Sequence, residues 1–166
     1  MCSKSSHIVI VEQPARSGVR FRYECESRGS AVIRGENCSD NHLTYASIRI
    51  CNYSGNRAMI VVSCVTTEEP YRQHPHHLVG RVGCHNGVYS RIIHNFKNIF
   101  ELRNTGIQCS KKSQIKDRLR LRKHIGIDPT NQGFAHISSK KINLNSFRLC
   151  FQVFSDNLFL FNSYAN

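Results

Sequence analysis

Apolar residues along this chain fall into short alternating or β-branched runs separated by Gly, Asn, Ser and Pro, the pattern of a β-rich domain with frequent turns. Residues 7–12 (HIVIVE) read as a first strand, and Gln13-Pro14 stops it because proline has no N–H to give a ladder. An extended segment, Arg20-Phe21-Arg22-Tyr23-Glu24-Cys25-Glu26, then leads into residues 27–43, rich in Gly, Ser, Asn and Asp and without helical period. That composition predicts a long surface loop, and long loops in compact domains usually carry function. Residues 45–52 alternate Ile48 and Ile50 against Arg49, Ser54-Gly55-Asn56 offers a turn, and residues 58–65 are apolar enough for a buried strand. Together they predict a hairpin. A proline-punctuated crossover over residues 69–77 precedes two further short strands, at 88–93 and 99–102. Residues 147–154 alternate Phe147, Leu149, Phe151 and Val153 against Arg148 and Gln152, as the closing strand of a core would. Seven or so short strands joined by turns imply an all-β, immunoglobulin-like β-sandwich of two sheets.

One stretch breaks the pattern. From Ser110 onward Lys111, Lys112, Lys116, Arg118, Arg120, Arg122 and Lys123 stand against the single acid Asp117. Ile115 and Leu119, at i and i+4, can seat one helical face; a hydroxyl residue such as Ser110 suits the cap, and Gly126 with Asp128-Pro129 suits the end. A short basic helical insertion follows, either a solvated charged helix or one that meets phosphate.

The chain has 166 residues, of which 40% are apolar, enough for one core without metal or disulfide support. Lys plus Arg outnumber Asp plus Glu by 23 to 11, and a net charge of +12 fits a polyanionic partner. No window approaches the ~18 apolar residues of a spanning helix, and the basic segments lack a broad apolar face, so no membrane partner is expected. The eight cysteines never form C-x-x-C and are expected to be free thiols. His74, His76 and His77, with Cys84 and His85 nearby, fit no common zinc spacing; satisfied or solvated histidines are expected there, and neither metal nor cofactor. Nucleophile–base pairs, a P-loop and metal motifs are all lacking, which argues against an enzyme. No charged-then-apolar leader opens the sequence, so an intracellular protein is expected.

The candidate chemistry lies in residues 20–26. Arg20 and Arg22, two apart, share one side of an extended segment, and two guanidinium forks fit the paired acceptors of guanine edges in a major groove. Glu26 suits a cytosine amino group and Tyr23 a thymine methyl, while Cys25 is small enough to let a phosphate approach. The alternative reading is an ordinary strand with a wet Arg/Glu face.

The same residues resemble the recognition loop of the Rel/nuclear factor kappa-B transcription factors, Arg-Phe-Arg-Tyr-x-Cys-Glu-Gly, departing only at Ser27. Residues 63–80 (SCVTTEEPYRQHPHHLVG), 106–112 (GIQCSKK) and 149–153 (LCFQV) are similar to the same family in the same order, most like its Dorsal-type members. The resemblance runs from about Ile8 to Val153 and implies an amino-terminal Rel homology DNA-binding domain over residues 1–153, followed by a divergent tail, 154–166. It implies that Arg20, Arg22, Tyr23 and Glu26 contact bases of a G-rich half-site in double-stranded DNA. Cys25, Lys111 and Lys112 would contact backbone phosphate, with Arg28 a further candidate. Ser27 stands for the family's glycine and Arg34 for a proline, which puts the loop's conformation in question. Residues 154–166 do not resemble the family, so its second domain, which supplies dimerisation, inhibitor binding and the nuclear import signal, is not expected after Val153. Dimer partners and inhibitor are therefore not expected, and localisation is expected in nucleus and cytoplasm. Two functions remain open: sequence-specific DNA binding as part of a Rel-type transcription factor, or a non-activating decoy that keeps the fold.

Overall fold

The computed structural model describes residues 5–16, 22–24, 32–94, 99–138, 142–155 and 158–165. In chain order the strands are β1 (His7–Glu12), β2 (Arg22–Tyr23), β3 (Ser47–Cys51), β4 (Arg57–Val65), β5 (His77–Val79), β6 (Cys84–His85), β7 (Val88–His94), β8 (Phe100–Glu101), β9 (Gly106–Cys109), β10 (Arg148–Ser155) and β11 (Leu158–Ala165). Among the described residues one α-helix, α1 (Ile115–His124), follows a 3-10 turn over Lys112–Gln114, and a second 3-10 turn spans Ala135–Ser138. A five-stranded sheet runs β11-β10-β4-β7-β6, and two three-stranded sheets run β1-β3-β8 and β2-β9-β5. Inward positions of all three make one core, with Ile48, Ile60, Val62, Leu78, Leu102, Ile107, Leu149 and Phe151 nearly inaccessible to water. This is the expected immunoglobulin-like sandwich.

The alternation in residues 147–154 is realised in β10, where Leu149, Phe151 and Val153 face the core opposite Cys64, Val62 and Ile60 of β4. Pairing partners differ from expectation. The segments at 45–52 and 58–65 form no hairpin: β3 pairs with β1 and β8, while β4 pairs with β10 and β7, so residues 52–56 carry the chain between sheets. Alternation fixes which face of a strand is buried, but says nothing about its neighbour. Nor does β10 close its sheet, because β11 lies antiparallel along it from Leu149↔Ala165 to Ser155↔Leu158.

Residues 36–43 lie mostly at the surface, as a loop would, but residues 32–35 are tied down. Ile33 is 2% exposed and its N–H donates to the Thr105 carbonyl, and Val32 and Gly35 form bridges with Gly106 and Pro14. The outward positions Ser63 of β4 and Cys150 and Gln152 of β10 are buried too, and Gln73 Nε2 donates to Ser63 Oγ. Gln73's carbonyl is in turn held by His136 Nε2 at 2.9 Å. The sandwich is therefore covered on one outer face by residues between β4 and β10 in sequence, which also carry α1.

Candidate nucleic-acid interface

The recognition segment and the basic segment meet through β2 and β9. These strands pair in parallel, with Arg22 opposite Gln108 and Tyr23 opposite Cys109, so Tyr23 ends beside Ser110-Lys111-Lys112. Tyr23 is 41% exposed, and the Lys111 ammonium lies 5.7 Å from its ring centroid, within the range of a cation–π contact. Lys111 and Lys112 are both exposed, whereas Arg22 is half-buried. The Lys111 N–H donates to Gln114 Oε1 at 2.9 Å, which satisfies one orphan donor where the helical segment starts and fixes the backbone between the two lysines. Ser110 is not the cap: its hydroxyl donates to the Pro75 carbonyl and its N–H to His76 Nδ1, both buried.

Helix α1 ends at Gly126, which adopts φ +72; Gly126 N–H donates to Lys123 O and Ile127 N–H to Arg122 O, a Schellman closure. Its inward stripe contains Ile115, Arg118, Leu119 and Arg122, and so includes two of the arginines counted as free charge. Arg118 donates to Glu24 Oε2 at 3.1 Å and to Gln108 Oε1 at 3.2 Å, bridging β2 and β9 from beneath. Arg122, fully buried, donates to the carbonyls of Asn86, His76 and Gly87. Burial lowers its pKa to about 10, which leaves it charged at neutral pH. Gly87, at φ +77, is required there because a Cβ would run into the His77 ring and the Arg122 guanidinium. Lys116, Arg120, Lys123 and His124 point to water.

The histidine cluster is part of this scaffold. His76 accepts the Ser110 N–H on Nδ1, so its proton sits on Nε2, which donates to the Leu144 carbonyl at 2.9 Å. His74 likewise accepts the His76 N–H on Nδ1 and donates from Nε2 to the Asn143 carbonyl at 2.8 Å. Burial is the main cause that holds both neutral, lowering His76 to about 4 and His74 to about 3. Among the described residues no group of three His, Cys, Asp or Glu side chains is placed to hold a metal. No described helix is long and apolar enough to cross a membrane.

Residues 8–159 match the family described as the Rel homology DNA-binding domain. This chain belongs to that family. It is 46% identical over 155 residues to the embryonic polarity protein dorsal of Drosophila melanogaster, covering 93% of this chain and 15% of dorsal. With human proto-oncogene c-Rel it shares 40% identity over 154 residues, covering 89% of this chain and 24% of the relative. The chain thus spans about a quarter or less of these relatives' lengths. A solved structure, the Dorsal homologue Gambif1 bound to DNA, superimposes with a TM-score of 0.90 at 41% identity, over 96% of this chain and 95% of that one.

Of the residues the Rel motif singles out, the fold brings Arg22, Tyr23, Lys111 and Lys112 to one end of the β2-β9 pair. Arg20, Cys25, Glu26 and Arg28 lie outside the described residues, as does Ser27, whereas Arg34 packs over the Tyr45 ring and donates to its hydroxyl. Glu24, Arg118 and Arg122 were missed as structural groups. For the arginines a signal existed, since positions 118 and 122 continue the stripe of Ile115 and Leu119 at i+3 and i+7. Nothing in the sequence announces Glu24's partner 94 residues away.

Proposed function

We propose that this Rel homology domain binds double-stranded DNA sequence-specifically, at a G-rich half-site, as the DNA-reading part of a Rel-type transcription factor acting in the nucleus. The observation that carries the reading is the parallel pairing of β2 with β9, which sets the motif residues Arg22 and Tyr23 directly beside the exposed Lys111 and Lys112. Base-reading groups and phosphate-binding groups then share one edge of the sandwich, as a protein needs if it is to fix its register on a duplex while inspecting its edges. In this reading Arg20 and Arg22 take guanines, Tyr23 a thymine methyl and Glu26 a cytosine amino group. Cys25, Arg28, Lys111 and Lys112 take backbone phosphate. The DNA-bound state of the structurally similar Dorsal homologue supports it.

Gel-shift titration of wild type and Arg22→Ala against a G-rich half-site and a scrambled duplex tests the assignment. Loss of a bidentate guanine contact is expected to cost ~1–3 kcal/mol on the G-rich duplex and to relax preference at one base position. Equal loss on both duplexes would remove Arg22 from base reading.

A further inference from the structure

Beyond the lysines lies a groove of about 600 Å³, lined on one side by Tyr23, Lys111 and Lys112 and on the other by residues 142–145. The far wall carries no charge. Its two exposed side chains are Asn143 and Asn145. The Asn145 N–H donates to Asn143 Oδ1 at 2.9 Å, which occupies the amide's acceptor end and leaves its NH2 end as the outward polar group. Amide N–H groups of Asn are among the neutral donors that hold DNA phosphates.

The wall is also held at a fixed separation from the lysines. His76 joins the two sides through one imidazole, accepting from Ser110 N–H beside Lys111 and donating to the Leu144 carbonyl. His74 fixes the adjacent Asn143 carbonyl in the same way. Neither imidazole has a free lone pair or N–H to lend to a ligand, so their role is to brace the backbone from behind while the asparagine side chains face outward. A rigid cleft with ammonium groups on one side and neutral amide donors on the other suits an anionic strand lying along it.

We propose that Asn143 and Asn145 form a second wall of the DNA-backbone site and donate amide hydrogens to phosphates that Lys111 and Lys112 engage from the opposite side. The assignment rests on the DNA-binding reading above and extends it to residues outside the Rel motifs. Because the donors are neutral they release no counterions of their own, so their loss weakens binding at every salt concentration without altering the salt dependence. That separates them from the lysines.

The test is a salt-series gel shift of the whole chain with a G-rich duplex and a scrambled duplex, using wild type, Asn145→Ala, Asn143→Asp and Lys112→Ala. Asn143→Asp keeps the acceptor for the Asn145 N–H, so the turn is preserved while the donor is replaced by an anion. Asn145→Ala is expected to weaken both duplexes by about tenfold, the value of one hydrogen bond to a charged group, with the slope of log affinity on log salt unchanged. Asn143→Asp should weaken both more, whereas Lys112→Ala should reduce the slope by about 0.9. Wild-type affinity in both asparagine variants would overturn the proposal while leaving the DNA-binding reading intact. A loss confined to the G-rich duplex would overturn it too, by moving these residues to a base edge. Failure of the wild type to bind either duplex would remove the underlying reading and this assignment with it.

Discussion

The basic stretch from Lys111 to Lys123 contains two populations of cation that look alike in sequence and do opposite work. Lys111, Lys112, Lys116, Arg120 and Lys123 are exposed, beside the groove or along the outward face of α1. Arg118 and Arg122 turn inward, and their guanidinium groups are consumed by Glu24, Gln108 and three backbone carbonyls. The difference teaches that formal charge in a basic segment is an upper bound on what it can offer a polyanion. Arginine serves inward because a planar fork with five donors can satisfy several carbonyls at once, whereas an ammonium on a flexible stem stays better hydrated. In the proposed reading the outward set is what a DNA backbone would meet; the inward set fastens the helix that presents it.

Removing an inward cation should break the molecule where removing its neighbour does not. Arg122→Met strips the hydrogen bonds from the carbonyls of Asn86, His76 and Gly87 and is expected to cost about 3–5 kcal/mol of stability. Lys123→Met, one residue along on the exposed face, should change stability by less than about 0.5 kcal/mol. Urea denaturation of the two variants measures both. Similar losses in the two would show that the faces are not divided as described.

Acid sharpens the same comparison, because it adds charge on the inward side of α1. Burial, with Arg118 and for His77 also Arg122 adding repulsion, lowers His76 to about 4 and His77 to about 3, against 6.5 for an ordinary histidine. Below pH 6.5 the unfolded chain takes up protons at these positions and the folded chain does not, so stability falls with pH. The loss begins near 6.5 and continues down to about 4 for His76 and about 3 for His77. At pH 5 each histidine should have cost up to about 2 kcal/mol, from 1.36 kcal/mol per unit. Thermal melts between pH 7 and pH 5 check the sign, and His77→Asn should flatten part of the dependence. Stability that rises on acidification would mean the imidazoles are charged in the fold.

How far the sequence revealed these features depended on which physical constraint each one obeys. Strand β1 was legible from its short β-branched run, and β7 from the Gly and Asn that flank it. Strand β10 was legible from the alternation of Phe147, Leu149, Phe151 and Val153, although its other face is buried as well. Helix α1 was legible from Ile115, Leu119 and the Gly126 stop, although the cap was misread because the Ser110 hydroxyl is spent on Pro75. The false hairpin between residues 45–52 and 58–65 shows the limit: both strands exist, yet their partners are chosen by contacts tens of residues away. Within the site, Tyr23 beside Lys111 follows from a parallel pairing that joins residues more than 80 apart, and only the family motif linked the two segments beforehand. The proposed role of Asn143 and Asn145 left no sequence signal, since two polar residues before a strand read as a turn, which is what their hydrogen bond makes.

The smallest energetic change bears most directly on the central claim, that Lys111 and Lys112 are the cations offered to DNA while the inward arginines are not. The measurement is the salt dependence of binding to a G-rich duplex for wild type and for the Lys111→Ala/Lys112→Ala double variant. If both lysines neutralise phosphates, the slope of log affinity against log salt should become shallower by about 1.8, at roughly 0.9 per phosphate, with the unfolding midpoint unchanged. A double variant with the wild-type slope would contradict the account and move the phosphate contacts elsewhere on the molecule.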